Sequence, residues 1–181
     1  MSIRLIAVLA GLTLAGASPT AQSAPNFAGT WTLDADKTAA LLKATPGSSR
    51  AGGGAASAGG IMAAQGGGGT PPAWVITQTP AALTIVRTLS TGTQQELVYK
   101  LDGSESVNVN GRTTQKSRTA VSSGRLVTTG TQTVTTDQGD LSSEFKEVRW
   151  LDKDGSMVVE TTRTANGTSR VTTQAYRKKQ L

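Results

Sequence analysis

The chain has no cysteine and no histidine, and those two absences close off much chemistry. Without cysteine there is no disulfide, no thiol nucleophile and no lipidated cysteine anchor, so the fold must rest on packing and sheet pairing. Without imidazole there is no Ser-His-Asp triad and no histidine metal site. Aromatic residues are scarce at 4%, and charged residues make up 17%. The net charge is +6 at pH 7, but the cations are scattered. Only Arg177-Lys178-Lys179 forms a run, which reads as a solvated tail, and no aromatics interleave with basic residues to stack bases. Nucleic acid is therefore not an expected partner.

Long apolar runs are missing too. Leu5 to Ala17 is too short to span a bilayer; with Met1-Ser2-Ile3-Arg4 before it and small polar residues after it, residues 1–24 read as a secretory signal peptide. Cleavage fits after Ala17, where Ala15 and Ala17 meet the small-x-small rule, or nearer Ala24. The expectation is an exported protein, periplasmic or extracellular, whose residues 25–181 form one domain.

Catalytic and metal chemistry find little to work with. Asp152-Lys153-Asp154-Gly155 begins like a calcium loop but lacks the later oxygen ligands and the closing glutamate, so it reads as a hairpin turn. Asp34 and Asp36 are a conceivable carboxylate pair, yet Asp34 ahead of Ala35 to Lys43 is explained by capping a short helix. No enzyme activity, metal or cofactor is expected; carboxylate-only catalysis is the one remaining enzymatic route.

What is present is a strand pattern. Asn26 to Leu33 holds Phe27, Gly29, Trp31 and Leu33, an apolar plug with a glycine where backbone passes close. The short helix follows, and residues 47–72 are dominated by glycine, alanine and serine, too poor in apolar side chains to offset ordering entropy, hence a flexible loop. From Trp74 onward turn signals recur: Thr79-Pro80, Gly92, Asp102-Gly103, Asn110-Gly111, Ser123-Gly124, Asp137-Gln138-Gly139, Asp154-Gly155 and Asn166-Gly167. Between them lie segments rich in valine, threonine, isoleucine and tyrosine, such as Trp74–Thr79, Leu83–Leu89, Gln95–Leu101, Arg125–Thr136, Ser156–Thr164 and Thr168–Arg177. The reading is all-β, an up-and-down antiparallel meander of about ten strands. Closing it into a barrel removes the two edges an open sheet would leave.

Leu97, Tyr99 and Leu101 share one face of their strand, while in Arg125–Thr136 neither face is a dense hydrocarbon surface. The interior is thus either partly polar, as a ligand cavity or wet lumen, or a thin core between hydrated faces. A transmembrane barrel is disfavoured: no alternate positions form a lipid-facing apolar band, and Lys116, Arg118, Glu144, Lys146 and Arg163 fall mid-strand.

Phe27-Ala28-Gly29-Thr30-Trp31-Thr32-Leu33 resembles the opening strand of the fatty-acid-binding-protein family and shares the Gly-x-Trp signature of the wider calycin group, which includes lipocalins. The element order, the hairpin at Asp154 to Glu160 and the close at Gln174-Ala175-Tyr176 are similar as well. Secreted bacterial proteins with a Gly-Thr-Trp strand and a Thr-rich meander, themselves of unknown role, share this layout. The resemblance implies a calycin-like barrel binding apolar or amphipathic molecules, with a carboxylate gripped by inward arginines and a terminal tyrosine. By position Tyr176 matches that tyrosine, Arg149 the earlier arginine, and Gln174 stands where the last arginine should be. Glutamine donates a hydrogen bond but supplies no charge.

Two placements of Arg149 remain open. The alternating charges of Lys146-Glu147-Val148-Arg149 fit cross-strand pairs on the outside. If Arg149 instead shares a face with Phe145, it needs a bound anion or a carboxylate such as Glu147. Arg170, in phase with Thr172, Gln174 and Tyr176, is a further candidate, and Tyr176 also suits plain core filling. The functional expectations are therefore a secreted binding protein holding a small apolar or amphipathic ligand, or a non-enzymatic envelope or extracellular interaction protein with a filled barrel and no small-molecule ligand.

Overall fold

The computed structural model describes residues 25–44, 73–89 and 92–180; the signal segment 1–24 and the loop 47–72 lie outside the described residues. The described chain folds as β1 (Gly29–Leu33), α1 (Ala35–Ala44), β2 (Trp74–Gln78), β3 (Ala82–Thr88), β4 (Gln94–Lys100), β5 (Glu105–Asn110), β6 (Thr113–Ser122), β7 (Arg125–Thr136), β8 (Gly139–Leu151), β9 (Met157–Ala165) and β10 (Thr168–Lys178). The turn dipeptides fall between strands as expected. Asn166 and Gly167 both take positive φ, 51° and 73°, the two-residue turn whose twist matches antiparallel strands.

All ten strands form one antiparallel sheet in the order β4-β3-β2-β1-β10-β9-β8-β7-β6-β5. The meander wraps because β1 pairs with both β2 and β10: Trp31 lies opposite Trp74 on one side and Lys178 on the other. The backbone ladder stops short of full closure, since β4 and β5 are its two ends. Side chains bridge that seam. Asn108 of β5 accepts from the Val98 N–H (2.8 Å) and donates to the Val98 carbonyl (3.0 Å), and Ser106 Oγ accepts from the Lys100 N–H at 2.8 Å. An amide side chain thus does for β4 what a neighbouring peptide would do, and edge groups that would otherwise invite another strand are satisfied.

One end of the barrel is plugged as the sequence suggests. Phe27 and Trp31 are buried, the Trp31 indole N–H donates to the Phe27 carbonyl at 2.8 Å, and Gln78 takes the Phe27 N–H and gives its own to the Pro25 carbonyl. Gly29 adopts φ 137°, and a Cβ there would run into the Lys178 side chain, whose ammonium lies 5.7 Å from the centre of the Trp31 ring. The basic run at the C-terminus is therefore not a free tail. Arg177 and Lys178 belong to β10, Arg177 pairs with Asp34 at 2.8 Å, and Lys178 covers the plug tryptophan. The sequence reading ends the last strand at Arg177; the structure carries it on to Lys178.

Helix α1 is short and has no fully buried residue, so packing alone holds it weakly and polar contacts fix it. Asp34 caps its start by accepting from the Lys37 N–H at 3.0 Å. Thr38 and the Asp34 N–H take up the free edge of β10 at Ala175. Lys37 reaches the β8–β9 turn, where Asp152 and Asp154 both pair with its ammonium at 2.7 Å. The aspartates that imitate a calcium loop hold a lysine instead. At Gly130 of β7 a Cβ would collide with the Lys116 carbonyl and Ser117 of β6, so glycine lets the two strands approach closely there.

Candidate functional site

Strand direction and side-chain alternation together sort the interior. In β3, running away from the plug, the inward face reads Leu83, Ile85, Arg87, all buried; in β9 it reads Met157, Val159 and Thr161, buried, and then Arg163, half-buried. In β4, running toward the plug, it reads Gln95, Leu97, Tyr99. The inner wall is apolar around Phe27 and Trp31 and becomes polar toward the opposite end.

In that polar half lies a small chamber of about 40 Å³. A water needs roughly 10–15 Å³ on this measure, so the chamber has room for a few water-sized bodies and not for a folded acyl chain. Trp74, Leu97 and Phe145 supply apolar wall, and Arg87, Arg149 and Arg163 bring three guanidiniums. Among the described residues lining it, Glu147 is the one carboxylate. Arg149 donates from Nη2 to Glu147 two positions earlier on β8. Arg87 Nε donates to Gln95 Oε1 at 2.6 Å, and Arg163 Nη1 donates to Gln132 Oε1 at 2.6 Å. The Arg163 guanidinium also lies 5.8 Å from the centre of the Phe145 ring.

Burial governs the electrostatics. It lowers the proton affinity of Arg87 and of Arg163, and Arg87 adds like-charge repulsion to Arg163. Both remain cations, as arginines do. The same desolvation, reinforced by Glu147, pushes the Tyr99 hydroxyl up to about 12 and Tyr176 higher still. The interior favours neutral tyrosines and carries more guanidinium than carboxylate.

The residues singled out from sequence scatter over this geometry. Arg149 is 3% exposed and faces inward with Glu147, which corrects the reading of an outer cross-strand pair; its Nε is buried with no acceptor among the described residues. Gln174 and Tyr176 are buried side by side, the tyrosine hydroxyl donating to Gln174 Oε1 at 3.1 Å. Tyr176 packs against Trp74 with ring centres 4.4 Å apart and does not line the chamber. Arg170 is exposed near the start of β10. Phe27, Gly29 and Trp31 build the plug. Arg87, Gln95 and Gln132 are not singled out by the sequence reading, and Arg163 only as a mid-strand charge that argues against a lipid-facing wall, yet the signal is there: each is a polar residue in phase with the inward face of its strand.

Among the described residues no group of three or more acidic side chains is placed to hold a metal ion, and no helix is long and apolar enough to cross a membrane. No family model and no curated protein matches the chain. Solved structures do. One is the zebrafish ileal bile acid-binding protein complexed with cholic acid, with a TM-score of 0.52 at 14% identity, covering 84% of this chain and 98% of that one. The likeness shows the fold: an all-β, nearly closed ten-strand barrel with a short helix after the first strand, as in the fatty-acid-binding-protein-like calycins.

Proposed function

We propose that the chain is an exported binding protein, periplasmic or extracellular, that holds a small amphipathic ligand in the barrel with its anionic end in the arginine-lined chamber. The observation that carries this is the charge imbalance: three guanidiniums converge on the chamber against one carboxylate. Cations in a low-dielectric interior are costly unless met by opposite charge, so such a surplus suits a site completed by an anion. The plug closes one end, and Leu141 of β8, in phase with Phe145 and 52% exposed, offers apolar surface at the other for the rest of the ligand. The structural neighbour is described as a bile acid-binding protein complexed with an acid, which agrees with this reading.

A filled scaffold is the second reading, and the volume favours it: about 40 Å³ lies well below the roughly 300–1,000 Å³ of drug-sized ligand pockets. Native mass spectrometry of the protein purified without denaturation separates the two. A ligand protein shows a small organic acid that leaves on unfolding, or acquires mass when incubated with amphipathic acids. A chain that remains bare in both experiments is a scaffold.

A further inference from the structure

The three arginines of the chamber are not equivalent. Arg149 is answered by a carboxylate on its own strand, since its Nη2 donates to Glu147. Arg87 and Arg163 are held by neutral glutamine oxygens, Gln95 for one and Gln132 for the other, each at 2.6 Å. An amide oxygen orients a guanidinium without cancelling its charge, and each guanidinium has five donors to distribute. The two come from walls four steps apart in the sheet order, β3 and β9, yet both line the same chamber. The Phe145 ring beneath Arg163 helps set the plane of its fork.

We infer that Arg87 and Arg163, rather than Arg149, receive the charged end of the ligand, and that this end is a carboxylate. The inference rests on the binding reading above and departs from the assignment by family position, which gives the task to Arg149 and Tyr176. Arg149 is paired directly with Glu147, which reaches Arg87 and Arg163 only through space, and Tyr176 is occupied with Gln174 and covered by Trp74. A carboxylate presents two oxygens in a plane, one for each fork, and suits a chamber of about 40 Å³; a phosphoryl group brings a third oxygen and a second charge into the same space. Repulsion between two desolvated guanidiniums in the unliganded protein is relieved when the anion enters, so the arrangement favours the bound state.

The test is calorimetric titration of the protein with octanoate, octyl phosphate and octanol, comparing wild type with Arg87→Met, Arg163→Met and the double variant Glu147→Gln/Arg149→Met. Methionine keeps much of the aliphatic packing. The expected result is that octanoate binds best, that Arg87→Met and Arg163→Met each weaken it about tenfold or more, and that the double variant weakens it far less. Each single variant also leaves the Gln95 or Gln132 oxygen without its guanidinium, so the discriminating readout is the ligand-induced shift: octanoate should raise the melting point of wild type and of the double variant but not of the two single variants, whereas a merely structural role would leave that shift in place. If octanoate binding survives in both single variants and is lost in the double variant, the inference fails while the binding reading stands. Equal binding of octanol, or tighter binding of octyl phosphate, overturns the carboxylate assignment. If none of the probes binds wild type, the binding reading itself falls.

Discussion

Replacing Asn108 with alanine opens the β4–β5 seam, where no backbone ladder joins the two strands. The native amide makes two bonds to Val98, one as acceptor and one as donor, and Asn108 is 8% exposed. At about 0.5–1.5 kcal/mol net per hydrogen bond, losing both costs about 1–3 kcal/mol. The upper end applies if water cannot reach the Val98 peptide groups, the lower end if the seam admits it. For a domain of this size the loss corresponds to a melting-point drop of roughly 2–12 °C. Asn108→Asp should be no milder at neutral pH, since it exchanges the donor facing the Val98 carbonyl for another acceptor. Ser106 serves the same seam two residues away, through Lys100, so Ser106→Ala combined with Asn108→Ala should cost less than the sum of the two, an open seam having already lost both staples. Denaturant unfolding gives the stabilities and amide hydrogen exchange reads Val98 directly. A loss below about 0.5 kcal/mol, within the range of ordinary surface changes, with unchanged exchange at Val98, would refute the staple.

Three further outcomes follow from the packing and the charges. Gly130→Ala places a methyl against the Lys116 carbonyl, which is backbone and cannot swing away; denaturant unfolding should show a loss of about 2–3 kcal/mol, and a change within 0.5 kcal/mol would mean the strands part easily there. Asp34, Asp152 and Asp154 all ionise below the usual aspartate value. Asp34 does so chiefly through the Lys37 N–H and then Arg177, the other two chiefly through the Lys37 ammonium. Their folded pKa values are depressed, so their contribution is present above the unfolded aspartate value of about 4 and is lost progressively as pH falls below it through the folded ones. Lys37→Met should flatten that acid limb of the stability profile; an identical limb would dismiss the clamp. The two tyrosines have raised values in the folded state, so stability should decline above the unfolded tyrosine pKa of about 10. Tyrosinate absorbance should then appear together with unfolding, and a titration near 10 in the native protein would contradict their burial.

The fold was legible because its signals are local. Asn-Gly and Asp-Gly turns at 110–111, 154–155 and 166–167 each supply a glycine that takes positive φ, and the plug residues Phe27 and Trp31 stand out in a chain with few aromatics. The site was harder because it depends on which way a strand runs as well as on which way a side chain points. In β8 the phase containing Phe145, Glu147 and Arg149 and the phase containing Lys146, Val148 and Trp150 each mix charged with apolar residues, so alternation cannot choose between them. The neighbours choose: Phe145 pairs with Gly130 and Arg163, and Arg149 with Leu126 and Val159, both on the inner wall. The seam was illegible for a related reason, since Ser106 and Asn108 look like ordinary polar strand residues until the sheet brings β4 beside them.

The same reasoning recovers the residues that sequence reading passed over. Leu83-x-Ile85-x-Arg87 and Met157-x-Val159-x-Thr161-x-Arg163 are buried faces that turn polar as they leave the plug, and Tyr99-x-Leu97-x-Gln95 does so read backward along a strand of opposite direction. In an up-and-down barrel, consecutive strands alternate direction, so such gradients must be compared with every second strand reversed. Once that is done, Arg87, Gln95 and Arg163 fall at one level of the barrel, and the chamber becomes visible as the level at which the inward phase changes from hydrocarbon to guanidinium and amide. It is at this level, and not at Tyr176, that the interior of this chain is chemically distinctive.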